Sequence, residues 1–484
     1  MIIGKYTPEE PISSIATALA PSALGIVRVS GKNCIELVSR LFSRPQALMQ
    51  AAGNTIVYGW ILNPEKNGAD ARVDEVLLSV FKGPKSFTGE DMVEISCHGG
   101  PAVVTAIHNL LLKNGFRQAN RGEYTFRAYI NGKTDLTKAE AIKEIIDSHT
   151  DASRSHAAGR LSGSLYKEID SIKKLIVDTL ASIEVEIEYP EDEETIADSF
   201  NRSDIEKAIE RLQLLADSWK SEKMYQDGVR IVLAGRTNAG KSSLFNAILK
   251  EERAIVSDIE GTTRDWLESW ASIKGFPVRL FDTAGLRQTD DLIEAQGVEI
   301  SRNLAQDADL VLYLIDSSCG PNEEDLAFIK KSTEPLIIVL TKSDKNGGES
   351  TPLASRVSEG NSVVSESERT TPPSRETPQR PLVKISSKTG SGMEELYTKI
   401  AEVLTEGQAT EREQAGLGSA RQKEAVCEAL ECTRHALVSA DDNYTLDAVV
   451  QDLEDALDSL SEVTGEITPD DVLGSIFENF CVGK

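Results

Sequence analysis

Several features that would place a chain outside the cell, in a membrane or around a metal cluster are scarce here. Only six cysteines occur in 484 residues, and Cys34, Cys97, Cys319, Cys427, Cys432 and Cys481 are scattered without C-x-x-C spacing. That distribution excludes a disulfide framework or a cysteine zinc site and suits reduced thiols. No apolar run approaches the ~20 residues of a membrane span, so no stable membrane insertion is expected. The opening Met1-Ile2-Ile3-Gly4-Lys5 does not read as a signal peptide, and a cytoplasmic protein is the expectation. Positive charge is also in deficit: 52 Lys and Arg stand against 78 Asp and Glu, a formal charge of −26. A surface that is basic throughout and wraps nucleic acid is thereby excluded, and any RNA contact needs a local basic patch or a basic partner. No internal repeat is present.

What is there begins with Gly235-Arg236-Thr237-Asn238-Ala239-Gly240-Lys241-Ser242. A strand-like run, Val229 to Ala234, precedes it and a helical one, Ser243 to Ile248, follows. This is the context a G-x-x-x-x-G-K-[ST] phosphate loop requires. Its glycines turn backbone N–H groups inward, Lys241 reaches the β- and γ-phosphates, and the Ser242 hydroxyl holds Mg²⁺. A nucleoside triphosphate is the expected ligand.

The chain length predicts about three domains. Residues 1–131 mix β-rich runs such as Gly25 to Val29 and Glu75 to Phe81 with the helical run Ala102 to Lys113, and read as an α+β domain. Residues 132–224 are helical in pattern: Ala139, Ile142, Ile145 and Ile146, then Ile172, Leu175, Ile176 and Leu180, recur at i, i+3/i+4. The acidic run Glu184 to Glu194, broken by Pro190, reads as a solvated helix end or as a docking site for a basic partner. Strands and helices alternate over 225–406, as in a parallel α/β sheet. Helical periodicity returns over 407–484, so the α/β unit is expected to be inserted into a discontinuous helical domain. Within that unit, residues 347–380 are rich in Ser, Thr, Pro and Glu and predict a disordered insertion.

Further motifs follow the phosphate loop in the order a GTPase needs. Glu260-Gly261-Thr262-Thr263-Arg264-Asp265 offers threonines for Mg²⁺ and for sensing the γ-phosphate. Strand Val278 to Phe281 delivers Asp282-Thr283-Ala284-Gly285, where Asp282 supports the Mg²⁺ shell and the Gly285 N–H meets the γ-phosphate. Strand Leu336 to Leu340 ends in Thr341-Lys342-Ser343-Asp344, whose carboxylate accepts both N1–H and N2–H of guanine. Strand Leu382 to Ile385 ends in Ser386-Ser387-Lys388, suited to the guanine O6. Each lies at a strand end, where α/β proteins bind ligands. The base is read as guanine, and the fold class as multidomain α/β and α with a Ras-like P-loop GTPase domain.

One position departs from Ras. The water-orienting glutamine is replaced by Leu286, so hydrolysis is either very slow or served by another group: Arg287, Gln288, Asp290, Asp291 or Glu294. A monovalent cation near the phosphates could replace an arginine finger, and Asn238 offers it a carbonyl oxygen.

Outside this domain stand Ser86-Phe87-Thr88-Gly89-Glu90-Asp91-Met92-Val93-Glu94, Cys97-His98-Gly99-Gly100, Gly122-Glu123-Tyr124-Thr125-Phe126-Arg127-Ala128, Asn131-Gly132-Lys133 and the terminal Phe480-Cys481-Val482-Gly483-Lys484. With these the chain resembles the MnmE (TrmE) family of bacterial tRNA wobble-uridine modification GTPases over nearly its whole length. The resemblance implies a homodimeric N-terminal domain binding a tetrahydrofolate derivative (5,10-methylene- or 5-formyl-tetrahydrofolate), with Arg28, Glu94, Lys133 and Lys484 as contacts. It implies K⁺ held by Asn238, Ser257, Ile259 and Thr262, and a catalytic Glu294 that acts when two G domains meet. Nucleotide contacts fall on Asn238 to Ser243, Ser257, Thr262, Thr263, Asp282 to Gly285, Thr341, Lys342, Asp344 and Ser386 to Lys388. It also implies a flavoprotein partner, MnmG (GidA), with which a one-carbon unit is transferred to C5 of the tRNA wobble uridine. Cys481 reads either as a small buried side chain or as a thiolate beside the folate pocket.

Where the family often has asparagine, Thr341 stands, and weaker or faster-exchanging guanine binding is expected. Asn120-Arg121-Gly122-Glu123 replaces a more usual Arg-Pro-Gly-Glu, so the loop before Lys133 is expected to be held differently. The final helix is expected to have Thr468 as its cap, Pro469 at N1, and Asp470 and Asp471 in its first turn. A regulatory GTPase switch without modification chemistry is the competing class, and a folate scaffold with a degenerate G domain is a third. The N-terminal motifs oppose the first, and Lys241, Ser242, Thr263 and Asp282 oppose the second.

Overall fold

The computed structural model describes residues 10–188, 201–251, 268–282, 308–332, 334–345, 380–405, 415–441 and 446–483. The chain divides into two compact units. One comprises Met1–Lys143, Arg160–Ala216 and Leu417–Lys484; the other comprises Glu144–Gly159 and Asp217–Gly416.

The first unit contains a six-stranded sheet made of β1 (Ile12–Ile15), β2 (Leu24–Ser30), β3 (Thr55–Leu62), β4 (Arg72–Phe81), β5 (Met92–His98) and β6 (Arg117–Gln118). Its order is β3-β4-β5-β2-β1-β6, antiparallel except for the β1–β6 pair. Alternation separates its faces. Val27 and Val29, Val76, Leu78 and Val80, and Val93, Ile95 and Cys97 are buried in one cluster with Val104, Ile107 and Leu111 of helix Pro101–Lys113. The intervening residues Arg28 and Glu94 lie opposite one another on the other face.

Helical segments complete this unit, and their apolar stripes explain them. In helix Ser164–Glu188, Leu165, Ile169, Ile172, Ile176 and Ile183 are fully buried. Helix Leu446–Thr464 buries Val449, Leu453, Ala456, Leu460 and Val463, a 4-3-4-3 spacing that keeps one seam facing a partner. That partner is helix Ala420–Asp441, whose Val426, Ala429, Thr433 and Ala436 are small enough for close approach. The last helix is Asp470–Glu478. Pro469 occupies its N-cap, one residue later than expected, and no side chain caps it; the Pro469 carbonyl accepts from the Val472 and Leu473 amides. Thr468 is therefore not the cap, a one-residue displacement of the common kind at helix ends.

The second unit is built on a sheet of β7 (Val229–Gly235), β8 (Glu268–Ile273), β9 (Phe276–Asp282), β10 (Leu310–Asp316), β11 (Leu336–Thr341) and β12 (Leu382–Lys384). The order is β12-β11-β10-β7-β9-β8, parallel except for β8. Strands buried on both faces need continuous apolar runs. β10 and β11 have them: Leu310 to Ile315 and Leu336 to Leu340 are all buried. Helices Lys241–Glu251 and Met393–Leu404 cover one face through Leu244, Ile248, Leu396 and Ile400.

Candidate nucleotide site and the N-terminal sheet face

The phosphate loop leaves β7 through Gly235, whose φ of 135° and close approach to the Leu314 carbonyl (2.4 Å from a Cβ placed there) admit only glycine. Asn238 (φ 61°) and Gly240 (φ 96°) continue the turn into helix Lys241–Glu251. Ser242 and Ser243 stand exposed in its first turn. The Lys241 ammonium donates to the carbonyls of Gly235 and Arg236, at 2.7 and 2.9 Å.

The guanine-reading segment is hydrogen-bonded to this loop. Thr341, buried at the end of β11, donates its hydroxyl to the Ala239 carbonyl at 2.7 Å. Lys342 (φ 57°) donates to the Asn238 backbone carbonyl at 2.7 Å and to Asp316 Oδ2 at 2.6 Å. The backbone carbonyl of Asn238 is thus occupied by an ammonium. Ser386 donates to Asp344 Oδ1 at 2.8 Å. That bond, with the nearby Lys388 and Lys345, holds the Asp344 carboxyl below the usual carboxylate range. Ser387 is half-buried and Lys388 exposed beside it. Asp282 ends β9, paired in register with Leu233 of β7, which places it next to the strand that leads into the phosphate loop.

Ser257, Ile259, Thr262, Thr263, Thr283, Ala284, Gly285, Arg287, Glu294 and Lys484 lie outside the described residues, as do Arg264, Leu286 and residues 347–379 of the expected insertion. Asp316 belongs to none of the sequence motifs. Burial pushes its carboxyl up, but hydrogen bonds from Lys342 and Ser318 prevail and bring it to about 2. An acid at the carboxyl end of a buried strand was the signal available.

On the other face of the N-terminal sheet, Arg28 donates from Nε (2.9 Å) and one terminal nitrogen (2.7 Å) to Glu94 Oε1. Its other terminal nitrogen donates to the Gly483 carbonyl at 3.0 Å. The tail is held there by a bridge between Arg121 and Val482. Gly122 permits it, since a Cβ would lie 2.5 Å from the Phe477 carbonyl. Cys481 is exposed on this tail. Lys133 donates to the Pro84 carbonyl at 2.9 Å, and Asn131 to the Thr88 carbonyl at 2.7 Å, so Asn131-Gly132-Lys133 braces the Ser86–Glu94 segment.

A buried ion network lies beneath, unforeseen from sequence. Arg127, fully buried, bridges Glu90 (3.0 Å) and Glu123 (2.9 Å), and Arg117 also reaches Glu123 at 2.6 Å. Burial disfavours the Glu123 carboxylate, yet Arg117, the Asn120 amide and Arg127 hold its pKa below the ordinary value. Two motifs far apart in sequence are thereby one structural element.

A phosphate loop bonded to a guanine-reading loop at the carboxyl ends of a parallel sheet defines a G domain of the P-loop GTPase class. The comparisons with known proteins extend this to the rest of the chain. Residues 136–481 match the model of the MnmE helical domain, and residues 11–133 that of the GTP-binding protein TrmE N-terminus. The chain is 49% identical over 491 residues to the tRNA modification GTPase MnmE of Treponema denticola, covering 100% of both. It is 43% identical to that of Treponema pallidum, covering 99% of each. It belongs to the MnmE (TrmE) family. A crystal structure of Aquifex aeolicus Era bound to GDP·AlF4⁻ matches 42% of this chain and 66% of that one, at 23% identity and TM-score 0.28.

Proposed function

We propose that this protein is a GTP hydrolase of tRNA modification. With the flavoprotein MnmG it installs an aminomethyl or carboxymethylaminomethyl group at C5 of the wobble uridine, drawing one carbon from a tetrahydrofolate. The carrying observation is the joined nucleotide site: Thr341 to Ala239 and Lys342 to Asn238 tie the guanine reader to the phosphate loop, and Ser386 to Asp344 fixes the reading carboxylate. Full-length similarity to relatives named tRNA modification GTPases supports the RNA substrate. The acidic chain suits a partner that carries the RNA-binding charge.

The residues present fit the implied ions. Ser242 at a helix N-terminus, with Thr263 and Asp282, would hold Mg²⁺, which offsets charge on the β- and γ-phosphates when bound. The Asn238 amide oxygen, with Ser257, Ile259 and Thr262, would hold K⁺. Lys241 orients the phosphates, Asp344 selects guanine, and Glu294 acts on water once two G domains meet, with Arg287 as a further catalytic candidate. In the homodimeric N-terminal domain, the donor set also fits a folate. Glu94, fixed through Oε1 by Arg28, presents a carboxylate to the pterin edge, while Lys133 and Lys484 supply positive charge for its glutamate tail. Cys481 is the nucleophile candidate there. The flanking helices relay G-domain opening and closing to this site.

Reconstitution with MnmG, undermodified tRNA, GTP and 5,10-methylene-tetrahydrofolate, followed by nucleoside mass spectrometry, tests the proposal. A C5-modified wobble uridine is expected. GTP turnover with unmodified tRNA favours the regulatory switch instead.

A further inference from the structure

Three observations converge on Asp316. It ends β10 in register with Thr341, the residue before Lys342. Its Oδ2 accepts the Lys342 ammonium at 2.6 Å, while Oδ1 is fixed by the amide and hydroxyl of Ser318, at 2.9 and 2.6 Å. The same ammonium reaches the Asn238 carbonyl at 2.7 Å.

Asn238 and Lys342 also share an unusual backbone state, with φ of 61° and 57°. Neither is glycine, and such conformations persist only where surroundings over-determine them. The ammonium of one of these residues, Lys342, bonds the carbonyl of the other, Asn238, and Asp316 fixes that ammonium. Two residues beyond Lys342 stands Asp344, the guanine reader, so the backbone at Lys342 aims it.

We propose that Asp316 is a positioning residue for the guanine nucleotide: by fixing the Lys342 ammonium it locks the guanine-reading loop to the phosphate loop at Asn238. This rests on the GTPase reading, and it assigns no contact between Asp316 and the nucleotide. Without the carboxylate, the ammonium keeps only the neutral Asn238 carbonyl, and the bridge between the two left-handed residues is no longer fixed in place.

The test is the release rate of a fluorescent GDP from the full-length protein by stopped flow, in wild type, Asp316→Asn, Lys342→Met and the double variant. Asp316→Asn is expected to release GDP about tenfold faster, as loss of one charge-assisted hydrogen bond implies. In the Lys342→Met background it should add less than about twofold, because the two act as one unit. A merely structural role would lower the melting temperature and leave the coupling absent. Asp316→Glu, which keeps the charge, should restore part of the slow release and guards against misfolding of the amide variant. Wild-type release from Asp316→Asn, or full additivity with Lys342→Met, overturns the proposal. Failure of the wild type to bind GDP would instead overturn the nucleotide reading.

Discussion

Arg28 places two hydrogen bonds on a single oxygen of Glu94 and gives its remaining terminal nitrogen to the carbonyl of Gly483. One guanidinium thereby joins adjacent strands β2 and β5 to the C-terminal tail, on a face whose opposite side is sealed by Val27, Val29, Val93 and Ile95. The Arg28 ring contacts, to Phe87 at 5.7 Å and Tyr124 at 5.6 Å, keep it in place. A lysine could replace neither the fork nor the stacking.

Arg28→Lys should therefore weaken binding of 5-formyltetrahydrofolate by about tenfold or more, given hydrogen bonds to charged groups of ~1.5–3 kcal/mol. Isothermal titration calorimetry reads the affinity directly. GTP hydrolysis by the same variant should stay within about twofold of wild type, because Arg28 belongs to the other unit.

Thr341→Val should speed nucleotide exchange. The hydroxyl is buried and donates to the Ala239 carbonyl, so valine leaves that carbonyl without its donor. Such a loss costs about 1–3 kcal/mol. Release of GDP about tenfold faster is the expected result, with asparagine at 341 tested alongside for its longer reach.

Arg127→Met should destabilise the N-terminal unit by about 3–5 kcal/mol, because it leaves the Glu90 and Glu123 carboxylates without their shared buried cation. Urea unfolding followed by tryptophan fluorescence measures it. Replacing Glu123 and Arg127 together by apolar residues should cost less than Arg127→Met alone.

Guanine affinity should persist as pH falls through the usual carboxylate range. Ser386 lowers the Asp344 pKa, so the ionised, guanine-accepting form is retained to lower pH than for an ordinary aspartate. Ser386→Ala removes that support and should move the loss of GDP binding to higher pH. Fluorescent GDP titrations across the acid range distinguish the two proteins.

The strand ends that carry the proposed nucleotide residues were legible where residue type and strand context coincide. Lys241, Asp344 and Ser386 sit at strand ends that the apolar runs of β7, β11 and β12 announce. The helical stripe around Ile172 and Ile176 was legible for the same reason, since burial follows the 3.6-residue repeat. Asp316 was not, because its partner Lys342 lies 26 positions away and no spacing rule links an acid to a lysine on a parallel neighbour. Arg127 and Glu90 are likewise 37 apart and joined only by packing. Strand β6 spans two residues and carries no periodicity at all. The cap at Thr468 failed by one position, as helix ends do when a proline can take either place.

The Asn238 side chain bears the central claim of the proposed function, that this loop is half of a catalytic centre, holds a cation, and is completed by a second G domain. The most direct test is the GTP hydrolysis rate in matched K⁺ and Na⁺ buffers, for wild type and Asn238→Ala. A rate at least about tenfold higher in K⁺, lost in the variant, is predicted from the ~1.4 kcal/mol that one such contact must supply. Equal rates in the two buffers would contradict it.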